Sequence, residues 1–262
     1  MQDAVSFILE HLRSKYGVFL LGSGMHPLLE LSETGVWHHR HRRIYEAYKT
    51  VFNLKQHGWI NIQSFQLNLS YGTKRTAAAL HNVLASMVPY IPAITASSPI
   101  YEGKLGEYVD NRLHFYKINE IEVPSVTGDV VPEYVKSTED YKDNIIGKYS
   151  RDLEKLHADK CVLFKEWVNS RGIVLRFDRK AIEIRVIDEQ ECIKSDVAIG
   201  CFIRAAMRGL MEAYNQNKEL LPHDLLVKDF NSVIKDGLRT RVLHPKGPTA
   251  RDVCEYLYAL AS

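Results

Sequence analysis

The feature that most restricts the fold is a strict alternation of apolar and polar residues near the middle of the chain. In this stretch Ile182, Ile184 and Val186 alternate with Glu183 and Arg185. Successive side chains of a β-strand point to opposite faces, so the apolar residues share one face and the charged pair shares the other. The stretch is therefore predicted to be a strand with one face in the core.

Residues 60–71 form the clearest strand. Its apolar residues occupy the odd positions from 65 to 69, while Gln66, Asn68 and Ser70 occupy the even ones. The two isoleucines before residue 63 fall on the opposite parity, which predicts a bulge near residues 63–64. Past the bulge the polar residues lie together on one face.

Long segments with apolar residues at helical spacing separate these strands. A short apolar strand is expected at residues 18–21, and residues 173–178 and 181–188 form a hairpin around Arg179 and Lys180. The combination predicts an α+β fold in which helices cover one face of an antiparallel sheet and leave the other free to form a site. The predicted helices span residues 3–15, 40–57, 74–90, 150–169 and 196–218.

Composition narrows the class of protein. The 34 basic and 32 acidic residues nearly balance, which argues against a nucleic-acid or membrane surface. The four cysteines form no CxxC pair, as expected in a reducing cytoplasm. No signal peptide opens the chain, and no apolar run approaches the ~18 residues of a membrane span. We expect a soluble cytoplasmic protein.

The polar face of residues 60–71 is the first candidate site. Gln66, Asn68 and Ser70 could offer oxygen ligands or hydrogen bonds on a rigid sheet. A solvated outer strand face explains the same pattern.

The charged face of the hairpin is the second candidate. With a turn at residues 179–180, Arg176 is expected directly across from Glu183, and a cross-strand ion pair accounts for these residues. Alternatively, Glu183 binds a divalent cation while Arg176 and Arg185 bind phosphate or a substrate carboxylate.

Three other segments give weaker signals. Residues 103–143 lack periodicity, which is typical of a functional loop or lid. The basic run 37–43 is interpreted as a solvated or substrate-facing helix start, and we expect no binding to duplex DNA. Gly22-Ser23-Gly24 and residues 72–76 fail as nucleotide-binding motifs because each lacks a required glycine.

Taken together, the segments resemble the second glutamate–cysteine ligase family, the carboxylate–amine ligases. The similar motifs, in the family's order, are LLGSGMHP at 20–27, HRRIY at 41–45, FQLNL at 65–69, SSPIYEG at 97–103 and AIEIRVID at 181–188. The last of these is the most specific, and Arg112 falls at the arginine that follows the fourth motif in the family.

The resemblance implies one domain over residues 1–262 with a glutamine-synthetase-like sheet. It implies an ATP- and Mg²⁺-dependent ligase that activates an amino-acid carboxylate as an acyl phosphate, which an amine then attacks. By position, Glu183 would bind the metal, and Arg112 and Arg185 would contact phosphate or substrate. Gln66, Asn68 and Arg176 would contact the cofactor.

Two departures from the family pattern lower the ligase activity that we expect of this chain. The chain begins past the family's opening strands, which carry a Glu-x-Glu metal motif, and Gln66 and Asn68 replace a His-x-His pair. Uncharged amides bind Mg²⁺ more weakly than carboxylates. We therefore expect an inefficient ligase, and the alternative is an inactive or partner-dependent binding subunit. A homo-oligomer or a partner chain could supply the strands.

Overall fold

The structure is a computed structural model that describes residues 2–36 and 41–262. The helices within these residues are α1 (Gln2–Tyr16), α2 (Arg42–Lys49), α3 (His57–Ile60), α4 (Lys74–Met87), α5 (Ile91–Thr95), α6 (Asn111–Lys117), α7 (Pro124–Thr127), α8 (Thr138–Tyr141), α9 (Gly147–Lys155), α10 (Lys160–Leu163), α11 (Ile193–Asn217), α12 (His223–Asp236) and α13 (Ala250–Ala261). The strands are β1 (Ser64–Ser70), β2 (Ile100–Tyr101), β3 (Lys104–Leu105), β4 (Ile173–Arg176) and β5 (Ala181–Asp188).

Three of the predicted strands form one antiparallel sheet. Its order is β1-β5-β4, so β5 is the central strand, and β2 and β3 form a separate small hairpin. The charged stretch therefore lies at the middle of the sheet, hydrogen-bonded on both sides. The predicted α+β fold with an antiparallel sheet is confirmed.

The register corrects two details of the prediction. The shift between β1 and β5 lies between Phe65 and Leu67, not near residues 63–64. At that point Gln66 faces two residues of β5, so the extra residue belongs to β5. In the β4–β5 hairpin, Arg176 pairs with Ala181, and Val174 stands across from Glu183. The turn is two residues longer than expected, and Arg176 reaches Glu183 diagonally.

Helices cover the apolar face of the sheet. Helix α11 crosses β1 at Gly200, which faces Phe65 and Leu67; an added Cβ would lie 3.6 Å from Phe65, an ordinary van der Waals distance. Helices α4 and α5 contact β4 and β5. The opposite face is not free as predicted, because Glu183 and Arg176 at its centre are buried. Buried charges persist only when they are paired, and these two side chains pair with each other.

Several local predictions are wrong. Residues 18–21 form no strand, since they have no neighbouring strand to pair with, and their side chains are exposed. Residues 103–143 are not a lid: they contain α6 and α7, and Leu113, Val126 and Val130 are fully buried. The helix expected at 150–169 ends at Lys155 in α9. The basic run lies largely outside the described residues.

Of the helices within the described residues, none combines the length and the apolar composition that crossing a bilayer requires.

Gly24 joins the N-terminal segment to the sheet at a point where no side chain fits. A Cβ at this position would lie 2.2 Å from Oδ2 of the buried Asp188. The Gly24 amide also donates to Ser97 Oγ at 2.8 Å, and its carbonyl accepts from the Gln63 amide at 2.8 Å.

Replacing Gly24 tests this contact. We expect Gly24→Ala to lower the free energy of unfolding by about 2 kcal/mol, since either the backbone or the Asp188 carboxylate must move. Urea denaturation measures the effect. Gly35→Ala is the matched control, because nothing lies within 4 Å of its Cβ position. Equal stability of the two variants would show that the contact between Gly24 and Asp188 does leave room for a side chain.

A candidate oxyanion site on the polar face of the sheet

The polar face of the sheet brings together most of the predicted site residues. Asn68 is the register partner of Glu183, and paired residues of antiparallel strands point to the same face. Gln66 and Asn68 on β1 are exposed, whereas Glu183 on β5 is only 2% exposed. The face therefore has an open polar edge and a buried charged centre.

Three arginines surround the carboxylate of Glu183. Arg185 Nε donates to its Oε1 at 2.7 Å, and Arg176 Nη1 donates to its Oε2 at 2.9 Å. Arg179 Nη1 lies 3.5 Å from the same Oε2. Both oxygens of Glu183 are thus engaged by guanidinium groups, which offsets the cost of burying the carboxylate.

Arg185 also fixes the segment that lies over the centre of this face. Its Nη1 donates to the carbonyl of Asn169 at 2.6 Å, and its Nη2 donates to that of Trp167 at 3.4 Å. Burial by itself lowers the pKa of Arg185, but Tyr116 and Glu183 outweigh burial and raise it. Arg185 therefore stays charged and ties the short 3-10 helix Glu166–Val168 and the residue after it to β5.

Arg176 and Arg179 differ in exposure. Arg176 is buried, and its Nε has no partner among the described residues. Arg179 is 54% exposed, on the turn between β4 and β5. Asp178 lies 3.6 Å from Arg176 Nη2 and 3.8 Å from Arg179 Nε. Of the three arginines, Arg179 is the one most accessible to a ligand.

Arg112 lies in a second network at the end of β5. Its guanidinium donates from Nε to Asp188, and from Nη1 to the carbonyl of Arg185 at 3.2 Å. Asp188 Oδ2 also accepts from the Ser97 amide at 2.9 Å and from Ser98 Oγ at 2.8 Å. Arg112 is 1% exposed and joins the SSPIYEG turn to the sheet. Its contact with substrate stays a prediction.

Glu120 is a buried carboxyl group that the sequence did not single out. The Ser170 hydroxyl donates to its Oε1 at 2.7 Å, and the Thr127 hydroxyl donates to its Oε2. Burial raises the pKa of Glu120 to about 7, against the opposing effects of these hydroxyls and of Arg185. No periodic pattern marks an isolated glutamate of this kind.

The residues around Glu183 do not fit Mg²⁺. A cation site needs a negative surrounding, yet three guanidinium groups surround the Glu183 carboxylate and both of its oxygens accept from arginines. No group of three or more histidine, cysteine, aspartate or glutamate side chains within residues 2–36 and 41–262 is placed to hold a metal. Guanidinium and amide groups instead suit phosphate and carboxylate oxygens.

The sequence pattern of the glutamate-cysteine ligase family 2 matches residues 2–260, so the chain belongs to that family. An uncharacterized protein of Archaeoglobus fulgidus is 48% identical over 246 residues. The match covers 94% of this chain and 63% of the relative, so the chain spans less than two thirds of the relative's length.

The charge state of Glu120 gives a pH-dependent stability. Its pKa is about 7 in the folded protein against an ordinary value of 4.5, so the folded protein binds more protons between these values. Stability from this group is therefore lost as pH rises from about 4.5 to 7, by about 3 kcal/mol in total.

Glu120→Gln removes this titration. We expect its free energy of unfolding, relative to the wild type, to increase between pH 5 and pH 8. Chemical denaturation at several pH values measures the difference. Glu212→Gln, on the exposed side of α11, is the control and should show no such trend. A flat difference for Glu120→Gln would show that Glu120 does not titrate in this range.

Removing the charge of Glu183 should destabilise the protein. Glu183→Gln leaves three guanidinium groups without their common carboxylate, and we expect a loss of about 3–5 kcal/mol. Asp178→Asn, which neutralises the exposed carboxylate beside the same arginines, should cost under about 1 kcal/mol. Thermal denaturation compares the two, and similar losses would refute a central role for Glu183.

Proposed function

We propose that this chain is a carboxylate–amine ligase-like protein that uses ATP as co-substrate and joins an amino-acid carboxylate to an amine. Family membership supports the class of reaction. The observation that carries the proposal is the arginine cluster on the polar face. Its three guanidinium groups outnumber the two carboxylates, Glu183 and Asp178, that they contact.

The reaction requires two anions to meet. A carboxylate oxygen attacks the γ-phosphorus of ATP, ADP leaves, and an amine then attacks the acyl carbon and displaces phosphate. Charge compensation at the phosphoryl oxygens carries most of the catalysis in such transfers. In this chain Arg179 would bind an oxyanion at the entrance, while Gln66 and Asn68 would donate hydrogen bonds from the neighbouring strand.

The buried residues serve this surface indirectly. Arg176 and Arg185 are held against Glu183, so their guanidinium groups are already fixed in place on this face. Preorganised charges need no rearrangement when negative charge develops. Glutamate and cysteine are the first substrates to test, since the family is described by that ligase activity.

A non-catalytic binding protein is the second candidate. The pairing of both Glu183 oxygens with arginines favours it, because the carboxylate at the centre of the face then lies among positive charges that disfavour a metal cation. Such a protein would bind ATP or an acidic amino acid without turning it over.

Binding and turnover separate the two candidates. We expect the isolated chain to bind ATP weakly in calorimetry and to release little phosphate with glutamate, cysteine, ATP and Mg²⁺. Arg179→Ala should weaken ATP binding about tenfold, the value of one charge-assisted hydrogen bond. Arg204→Ala, an exposed arginine on α11, is the control.

Each outcome decides between the candidates. ATP binding that depends on Arg179 without phosphate release supports the binding protein, and substrate-dependent release supports the ligase. ATP binding that is absent, or equally weakened by Arg204→Ala, would refute the oxyanion site.

A further inference from the structure

A cavity with both polar and apolar walls lies between α4, α11 and α13, and none of its lining residues belongs to the polar face of the sheet. Its volume is about 360 Å³, within the range of about 300–1,000 Å³ that small-molecule sites occupy. Val83 of α4 and Leu210 of α11 contribute to its apolar lining. Its charged groups come from two connecting segments, residues 219–221 after α11 and residues 244–246 before α13.

Two tyrosines fix these connecting segments to the body of the protein. The Tyr134 hydroxyl donates to the carbonyl of Leu221 at 2.8 Å. The Tyr90 hydroxyl donates to Oδ2 of the buried Asp229 at 2.6 Å, and Oδ1 of Asp229 accepts from the Leu243 amide at 2.7 Å. Walls that are already in place reduce the ordering cost that a ligand must offset on binding.

His244 offers a hydrogen-bond donor at this cavity. Its Nδ1 accepts from the backbone amide of Lys246 at 3.0 Å. Burial chiefly, and the nearby charge of Lys246, lower the pKa of the His244 imidazole to about 4, so the ring is neutral near pH 7. A neutral imidazole whose Nδ1 accepts carries its proton on Nε2. Nε2 makes no hydrogen bond within residues 2–36 and 41–262, so its N–H can donate to an oxygen of a ligand.

Lys246 and Glu219 bring opposite charges to the same cavity. The Lys246 ammonium lies over the Tyr256 ring, 5.2 Å from its centre, which restricts the long side chain. The Glu219 carboxylate accepts from Nδ2 of Asn217 at 3.3 Å. Neither charged group has an oppositely charged partner in the part of the chain that the structure describes. A ligand that carries both a carboxylate and an ammonium group would supply both partners.

We propose that this cavity binds a free α-amino acid with an apolar or aromatic side chain. The carboxylate of the ligand contacts the Lys246 ammonium and the Nε2–H of His244, and its ammonium group contacts Glu219. Its side chain lies against the apolar walls, which include Leu210 and Leu221. An acidic or basic amino acid would place a further charge against these walls without a partner, which is unfavourable.

Calorimetric titration of the chain with L-phenylalanine tests the proposal. We expect saturable binding, at least about tenfold stronger than that of phenethylamine, which lacks the carboxylate, or of hydrocinnamate, which lacks the ammonium group. Lys246→Ala and Glu219→Gln should each weaken binding of phenylalanine about tenfold. Lys228→Ala, an exposed lysine of α12 outside the cavity, is the matched control and should leave binding unchanged. Lys246 and Glu219 are exposed, so their variants should stay folded, which circular dichroism verifies.

Three outcomes would overturn the proposal. The first is a titration without saturable binding of phenylalanine, and the second is equal binding of phenylalanine and its two truncated analogues. The third is binding that Arg179→Ala abolishes and Lys246→Ala leaves unchanged, because the amino acid would then lie on the polar face of the sheet. None of these measurements includes ATP, so their result does not depend on the proposed ligase or binding function.

Discussion

The fold around the candidate site depends on one buried carboxylate, Asp188 at the end of the central strand. It accepts hydrogen bonds from the Arg112 side chain, the Ser97 amide and the Ser98 hydroxyl, and Gly24 packs against it. Four separate parts of the chain therefore meet at one anion. A carboxylate can be buried only when hydrogen-bond donors of the protein replace the water molecules that it loses. The position of each donor around Asp188 therefore restricts the positions of the others. Three of the family-like motifs, at 20–27, 97–103 and 181–188, come together here for that reason.

Glu183 and Glu120 are both buried, but their different neighbours give them different roles. Glu183 lies among guanidinium groups, and each of its oxygens accepts a hydrogen bond from an arginine. Glu120 is also buried but accepts hydrogen bonds from two neutral hydroxyls, and burial raises its pKa to about 7. Glu183 therefore holds the arginines in place, whereas Glu120 can change its charge near neutral pH. Arg185 interacts with both, so the state of Glu120 alters the charge balance behind the polar face.

The sequence predicted the strands and helices whose apolar periodicity follows from burial. It failed for segments whose structure depends on which other part of the chain they contact. The parity of β1 and β5 placed Asn68 and Glu183 on one face, and helix α11 was expected within three residues of its bounds. Residues 18–21 look like a strand but lack a neighbour to accept their hydrogen bonds. The burial of Arg112 was not predictable either, because an arginine in a sequence does not reveal that its carboxylate lies 76 residues away. Glu120 carries no pattern at all.

Solvent exposure distinguishes the residues of this face that a ligand can contact from those that stabilise its structure. Both Nη groups of Arg185 hold carbonyls of the segment at Glu166–Val168 and the residue after it, so the centre of the face is closed by its own contacts. A ligand that displaced this segment would leave the two Nη groups of Arg185 without their carbonyl partners, and an unsatisfied buried donor on a charged group is costly. A ligand that stops at the open edge meets Arg179, Gln66 and Asn68 and breaks none of these bonds. The open edge is therefore the part of this face that a ligand can reach without breaking the contacts of the buried arginines.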